Sequence, residues 1–256
     1  MTVLGIDTAT QSSAVALRMA GGRTIQVRDD PAPGEHPGHA TRLLDMARGL
    51  LEQAGIAWRD LDRIAVGVGP GTFTGLRVGV ATARGLAQSL AVELVAVSSL
   101  QALAEQAFAT DPAGTGAQRA DAILAVIDAR RGEAFAAAYA RATGNAPREL
   151  AAPLALAPED LAGVLAQADG EGGVQARHWL AVGDGAVRFR EELVAGGIEL
   201  PDDDSPLHRV SAAAICSLGA GAPAGTGLQG ILPDYRRRPD AELALEGART
   251  GRGSER

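Results

Sequence analysis

The sequence predicts an α/β protein built from two similar lobes, each with a β-meander followed by helices. An apolar segment ending in aspartate, then a turn and a returning apolar segment, occurs at residues 2–17 and again at residues 123–139. Each copy is followed by an apolar segment that enters a glycine turn, at residues 64–69 and 180–185. Because both features recur in the same order, about sixty residues apart, we predict duplicated lobes with a cleft between them.

The amino-acid composition argues against several classes of protein. A net charge of −7 over 256 residues argues against avid, unaided nucleic-acid binding, which depends on neutralising phosphates. Cys216 is the only cysteine, so an internal disulfide is impossible and a reducing compartment fits. No apolar run approaches the ~18–20 residues that span a membrane, and the first strand leaves no room for a signal peptide. We therefore expect a cytoplasmic protein without membrane contact.

The first element is a meander of three short strands, at about residues 2–7, 13–17 and 23–28. Asp7 stands at its first corner. In the actin–hexokinase–chaperone fold class, this corner faces the phosphates of a nucleotide or their metal. The alternative is that Asp7 accepts backbone N–H bonds within its own turn.

A proline- and glycine-rich loop at residues 31–37 precedes an amphipathic helix that ends at Gly55. His36 and His39 stand three apart, but Pro37 and Gly38 interrupt helical spacing and no cysteine or carboxylate pair completes a zinc site. A strand at 92–97 and a helix to about residue 108 complete the first lobe.

The central stretch is a strand, the turn GPGTFTG at residues 69–75, and a helix to residue 90. A glycine turn that opens a helix is typical of phosphate binding, because free N–H groups point outward there. The chain contains no lysine, however, and Leu76 and Arg77 follow the last glycine, so this is not a P-loop. The alternative is a rigid turn that only begins a packed helix.

Small residues form a ridge along this helix, at Gly75, Gly79, Ala83 and Ala87. Glycine inside a helix costs about 1 kcal/mol relative to alanine, so the ridge indicates a close approach. The approaching surface is either another part of this chain or a partner subunit, and Arg77 and Arg84 would lie at its rim.

The second half repeats the pattern after a polar linker. The corner aspartate is Asp128, followed by Arg130 and Arg131, which would either clash with a phosphate or bind one. We predict a helix at 158–167, loops at 168–177 and 201–208, a helix at 211–218 that buries Cys216, and an extended basic segment at 232–238. The predicted domains are a first lobe at 1–109, a linker at 110–120, a second lobe at 121–246 and a disordered tail at 247–256. Whether a helix at 211–222 packs back on the first lobe stays open.

Four motifs resemble the TsaB (YeaZ) family: GIDTAT, HATRLL, GVGPGTFTGLRVGVATARGLA and VIDARRGEAF. The resemblance is strong over residues 1–140, and LPDYRRR matches the C-terminal signature of the family more weakly. It implies a two-lobed actin-like (ASKHA) fold. It also implies a non-catalytic partner of TsaD, a paralogue that transfers threonylcarbamoyl from threonylcarbamoyl-AMP. The acceptor is the adenosine 3′ of the anticodon in tRNAs that read codons starting with A.

The resemblance further implies heterodimerisation with TsaD, a homodimer in its absence, participation of the ATPase TsaE, and tRNA contact through the complex. The complex depends on ATP, whereas this subunit has no cofactor of its own. The first-lobe helices of the family that pair with TsaD correspond to residues 39–54 and 75–90. The implied partner-binding residues are His39, Leu43, Phe73, Thr74, Gly75, Leu76, Arg77, Gly79, Ala83 and Arg84. Vestigial nucleotide-binding residues would be Asp7, Thr8, Gly69, Gly71 and Asp128.

No catalytic residue or metal ligand is assigned. TsaD holds its metal with two histidines four apart on a helix plus an aspartate, and the four histidines here include no such pair. One alternative is a free-standing actin-like ATPase or small-molecule kinase, with Asp7 placing a metal and residues 69–75 the phosphates. A peptidase ranks last, since no Ser/His/Asp order or Cys/His pair stands out.

Overall fold

The computed structural model describes residues 1–32, 34–110, 120–142, 146–165, 168, 178–223 and 227–236. Most of the predicted linker, residues 169–177 of the loop predicted at 168–177, the tail at 247–256, and Arg237 and Arg238 lie outside these residues. None of the helices within the described ranges is long and apolar enough to traverse a lipid bilayer.

The first lobe is a five-stranded sheet in the order β3-β2-β1-β4-β5. Its strands are β1 (Val3–Asp7), β2 (Ser13–Arg18), β3 (Thr24–Asp29), β4 (Arg63–Gly69) and β5 (Glu93–Ser98). The meander β1-β2-β3 is antiparallel, and β1, β4 and β5 are parallel. Parallel pairing brings the carboxyl ends of β1 and β4 to one edge, where the Asp7 corner meets the glycine turn.

Two helices, α1 (His39–Ala54) and α2 (Phe73–Leu90), cover one face of this sheet. Their apolar positions recur at helical spacing and pack on alternate strand residues such as Leu4 and Ile64. Gly55 ends α1 in the left-handed conformation at φ 67°, as its position predicts.

The second lobe repeats this arrangement with four strands in the order β8-β7-β6-β9. They are β6 (Ala122–Arg130), β7 (Glu133–Ala140), β8 (Arg148–Leu156) and β9 (Trp179–Val182). The first two pairings are antiparallel and β6 pairs with β9 in parallel, which is the order found around β1. The predicted duplicated, two-lobed actin-like fold is therefore confirmed.

Short helices α4 (Asp184–Arg188) and α5 (Arg190–Ala195) cover the outer face of the second sheet. Between the two sheets lie α3 (Ser99–Thr110) and α6 (Ala212–Gly221). Helix α6 packs on β1 so closely that a Cβ on Gly5 would lie 2.7 Å from the Ala212 carbonyl oxygen. Cys216 is buried on this helix, as expected. One apolar cluster therefore includes residues from both sheets and both inner helices.

Two local predictions differ from the structure. Strand β8 was not predicted, because Pro153 and an alanine-rich sequence weaken its pattern; proline is tolerated there because β8 is an edge strand. The helix predicted at 158–167 begins as a 3₁₀ turn at Pro158–Asp160 and is α-helical at residues 163–165, and residues 166–167 lie outside the described ranges.

Candidate functional site

The Asp7 corner is closed by contacts within the chain. Asp7 is 1% exposed, and its Oδ2 accepts a 2.6 Å hydrogen bond from Ser99 Oγ at the start of α3. Its Oδ1 accepts the backbone N–H of Ala9 at 3.0 Å. Burial raises the pKa of the Asp7 carboxyl, and these two hydrogen bonds partly offset that effect. This is the geometry of an aspartate that stabilises its own turn.

The glycine turn and α2 rest directly on this corner. A Cβ on Gly71 would lie 2.2 Å from the Ala9 carbonyl oxygen, and one on Gly75 would lie 2.0 Å from that of Thr8. Thr8 Oγ1 donates to the Gly75 carbonyl at 2.7 Å, and the Thr72 N–H donates to the Ala9 carbonyl at 2.7 Å. At least one backbone donor of the turn is thus directed inward. Gly69 ends β4 with φ 105°, a conformation that favours glycine.

The small-residue ridge of α2 is likewise packed inside the chain. A Cβ on Gly79 would lie 2.2 Å from Thr8 Oγ1, and Ala83 is fully buried. Of the residues assigned to a partner surface, those buried here are His39, Leu43, Gly75, Leu76, Gly79 and Ala83. The ridge thus meets the chain's own β1–β2 corner, so direct partner contact stays a prediction only for Phe73, Thr74, Arg77 and Arg84.

His39, at the start of α1, faces inward too. Its Nδ1 lies 2.8 Å from Ser13 Oγ, and burial lowers its pKa. The imidazole therefore joins α1 to β2 and is 4% exposed.

The exposed N-terminal end of α2 carries a cluster that the sequence did not predict, here called the Arg77 cluster: Phe73, Arg77 and Tyr235. The guanidinium carbon of Arg77 lies 3.6 Å from the centroid of the Phe73 ring and 5.8 Å from that of Tyr235. Arg77 Nε donates to Tyr235 Oη at 2.9 Å, and the two ring centroids are 5.3 Å apart. The cluster joins residues 158 positions apart.

The C-terminal segment 231–236, here called the strap, brings Tyr235 to this cluster. Ile231 is 4% exposed and packs in the core beneath α2, and the Asp234 N–H donates to the Val68 carbonyl at 2.7 Å. Arg236 Nε lies 2.7 Å from Asp234 Oδ1. The described part of this segment is therefore docked on the first lobe.

The corner of the second lobe contains an ion-pair network. Asp128 Oδ2 lies 2.9 Å from Nη1 of Arg188 and 3.3 Å from Nη1 of Arg130, while its Oδ1 accepts the Arg130 N–H at 2.8 Å. Arg130 and Arg131 have φ of 67° and 53°, so the hairpin folds the Arg130 side chain back over the carboxylate. Asp128 is thus neutralised by two arginines of its own lobe.

Asp184 lies beside this network and accepts the Asp128 N–H at 3.1 Å. Burial raises its pKa from the ordinary value of 3.8 to about 6, and the negative charge of Asp128 adds to that effect. Sequence reasoning missed Asp184, although it immediately follows the glycine of the repeated glycine turn.

A cleft of about 390 Å³ separates the lobes. Asp128 and Asp184 line it from one side and Thr10–Ser12 from the other, whereas Asp7 does not reach it. Charged side chains of the cleft pair with one another, as Arg28 does with Asp30 at 2.9 Å. Within the described ranges, no cluster of three histidine, cysteine or carboxylate side chains is placed to hold a metal.

Comparison with known proteins gives a consistent group of relatives. The family model "TsaD: tRNA N6-adenosine threonylcarbamoyltransferase" matches residues 35–187. The tRNA threonylcarbamoyladenosine biosynthesis protein TsaB of Escherichia coli is 35% identical over 204 residues, covering 80% of each chain. The TsaB of Bacillus subtilis is 33% identical over 144 residues, covering 54% of this chain and 55% of that one. The solved structure of YeaZ from Pseudomonas aeruginosa superposes with a TM-score of 0.71 at 30% identity, covering 91% of this chain and all of that one.

Proposed function

The chain belongs to the TsaB (YeaZ) family of tRNA threonylcarbamoyladenosine biosynthesis, and from that premise we propose that it is a non-catalytic partner of a TsaD-type transferase. In this role it activates the transferase, which moves threonylcarbamoyl from threonylcarbamoyl-AMP to the adenosine 3′ of the anticodon. The TsaE ATPase completes the cytoplasmic assembly, and tRNA contacts this subunit through the complex. Without its partner the chain forms a homodimer.

The main support for a non-catalytic role is that contacts within the chain hold both corner carboxylates, Asp7 and Asp128. Asp7 is buried and hydrogen-bonded to Ser99 and Ala9, and Asp128 is paired with Arg130 and Arg188. In an actin-like enzyme, a corner carboxylate would have to face a nucleotide or its metal. Using either of these two for that purpose would first require breaking the contacts that hold it, which supports a subunit without chemistry of its own.

The glycine turn supports the same proposal. Gly71 and Gly75 are accounted for by the close approach of Ala9 and Thr8, so their presence needs no phosphate ligand. We propose that the isolated chain binds no nucleotide, and that the ATP dependence of the pathway belongs to other members of the assembly.

Reconstitution with purified proteins tests the proposal. The TsaD-type transferase and TsaE-type ATPase of the same organism are incubated with tRNA and threonylcarbamoyl-AMP, with and without this chain, and modified adenosine is measured by mass spectrometry. We expect modification only when the chain is present, and retained modification with Asp128→Asn, which would be lost if Asp128 were catalytic. Full modification without the chain would refute the role.

Calorimetry of the isolated chain with ATP tests the alternative of a free-standing ATPase or kinase. We expect no binding at millimolar ATP. Binding that Asp7→Ala abolishes would favour the enzyme instead of the partner subunit.

A further inference from the structure

We propose that a pocket between α3 and α6 binds a small aliphatic diamine in its charged form. The pocket has a volume of about 600 Å³, larger than the cleft between the lobes, and the two share no lining residue. Strand β5 and the two helices contribute most of its wall: Ala96, Val97, Gln101, Glu105, Ser217 and Leu218. None of the residues implied in partner or nucleotide binding lines it, so the inference is independent of the proposed function.

Glu105 provides the charge of this pocket. It is the only ionisable side chain among the described lining residues, and it is partly buried. Ser217 Oγ donates to its Oε1 at 2.8 Å and thereby orients the carboxylate. Within the described ranges, no arginine or histidine lies at ion-pair distance from Glu105. A partly buried carboxylate without a cation attracts a positive ligand more strongly than a fully solvated one does.

The hydrogen-bonding groups of the pocket select for a ligand that donates. Among the described lining residues, only Gln101 and Ser217 carry side-chain donors. Gln101 Nε2 donates to the Pro147 carbonyl at 3.2 Å, and the Ser217 hydroxyl donates to Glu105. Each donor thus has a partner within the chain, whereas Gln101 Oε1 and the second oxygen of Glu105 remain available as acceptors in the described structure. An ammonium group has three donors and no acceptor, which matches this arrangement.

The C-terminal end of α6 adds to the negative potential. Gly221 is the last residue of this helix and lines the pocket together with Ala222. The last carbonyl groups of a helix carry the negative end of its dipole, which favours a nearby cation. Arg63 donates to the carbonyls of Gly219 and Ala222, but its Nε also donates to Glu93 at 2.8 Å, so the positive charge of Arg63 is compensated.

The spacing of the acceptors and the apolar walls indicate the shape of the ligand. Gln101 and Glu105 are one turn apart on the same face of α3, so their Cα atoms lie about 6 Å apart along the helix axis. A chain of four methylene groups separates two amines by a similar distance. Val97 and Leu218 provide apolar walls against which such a chain can pack.

A metal ion fits the pocket less well than a diamine does. Calcium and magnesium take about six or more oxygen ligands, with carboxylates prominent among them. Glu105 is the only carboxylate among the described lining residues, and the apolar walls would offer a bare ion nothing.

Titration calorimetry of the full chain with the four-carbon diamine putrescine tests the site, at low ionic strength because salt screens the attraction. We expect saturable binding of a single molecule with a dissociation constant below about 1 mM. Glu105→Gln keeps an acceptor for Ser217 but removes the charge, and we expect binding to weaken at least about tenfold. The matched control Glu191→Gln makes the same change in net charge on an exposed side chain of α5 and should stay within about twofold. Circular dichroism of each variant verifies its fold.

A second variant and a series of probes complete the test. Gly221→Leu adds bulk at the pocket, where no atom lies within 4 Å of the Cβ position, and should also weaken binding. No saturable binding at up to about 10 mM putrescine would overturn the inference. Equal losses in Glu105→Gln and Glu191→Gln would overturn it too, because they would show attraction to net charge and not a site.

Two probes test the chemistry of the ligand. Butanediol has the same chain without charge, and equal affinity for it would refute recognition of a cation. Tighter binding of a lysine peptide amide than of putrescine would assign the pocket to a basic side chain of a protein and overturn the diamine as its ligand. Each of these failures leaves the proposed function untouched, since reconstitution with the transferase tests that function separately.

Discussion

At the scale of single residues, ionisable side chains in this protein are held by contacts that the corners of the two sheets create. Asp184 accepts the N–H of Asp128 and is pressed against the second sheet, where burial raises its pKa to about 6. Because the folded protein holds this proton more tightly than the unfolded chain, Asp184 stabilises the fold below its ordinary pKa of 3.8. That contribution is lost as the pH rises through about 6.

Replacing Asp184 with asparagine should therefore stabilise the protein at neutral pH. Asparagine keeps an oxygen acceptor for the Asp128 N–H and never ionises. The interval from 3.8 to about 6 corresponds to at most about 3 kcal/mol, at about 1.4 kcal/mol per pH unit. We expect urea unfolding to show Asp184→Asn more stable than wild type at pH 7.5 and equal to it near pH 4. The control Asp202→Asn, on an exposed side chain, should stay within about 0.5 kcal/mol at both pH values. If the wild type were more stable than Asp184→Asn at pH 7.5, the raised pKa of Asp184 would be contradicted.

At the scale of elements, α2 is shaped by the corner on which it lies. Gly75 and Gly79 leave no room for a methyl group against Thr8, whereas Gly85 on the same helix has no atom within 4 Å of its Cβ position. Glycine is therefore required by close packing at Gly75 and Gly79, whereas Gly85 lies on an open surface of the same helix. A bulky substitution at Gly79, such as Gly79→Arg, disrupts this contact and therefore tests folding and not partner binding.

Alanine at Gly79 and at Gly85 should have opposite effects on stability. We expect Gly79→Ala to lower the free energy of unfolding by about 2 kcal/mol or more, through overpacking against Thr8 Oγ1. Gly85→Ala should raise it by about 0.5–1 kcal/mol, because alanine favours the helix. Thermal and urea denaturation measure both.

A double-mutant cycle with Thr8→Ala then tests the cause of the loss. Removing the hydroxyl should make Gly79→Ala less costly than in the wild-type background, giving a coupling of about 1 kcal/mol. Additive effects would show that Thr8 is not the obstacle.

At the scale of the whole molecule, the two lobes share one core. Helices α3 and α6 lie between the sheets, and their apolar side chains belong to the cluster that also includes Val3 and Ile123. The buried Arg63 secures the end of α6 by donating to the carbonyls of Gly219 at 2.7 Å and Ala222 at 2.8 Å. Lobes connected in this way should unfold together.

The two tryptophans provide a probe in each lobe. Trp58 precedes β4 in the first lobe, and Trp179 begins β9 in the second. We expect the single-tryptophan variants Trp58→Phe and Trp179→Phe to show, by fluorescence, urea transitions whose shapes and slopes match circular dichroism of the same variant. Fluorescence and circular dichroism that diverge within either variant would show that the lobes unfold separately.

The sequence by itself determined the duplicated topology, the corner aspartates and the helices α1 and α2 of the first lobe. These features follow from periodicity, turn chemistry and internal repetition, which are local or self-similar signals. Tertiary structure alone decided what each feature touches. Asp7 meets Ser99 across 92 positions and Arg77 meets Tyr235 across 158, and no local pattern encodes such pairs. The glycines of α2 predicted a close contact, but a glycine does not identify the group that makes the contact. Whether the chain itself or a partner fills that space depends on how distant segments pack.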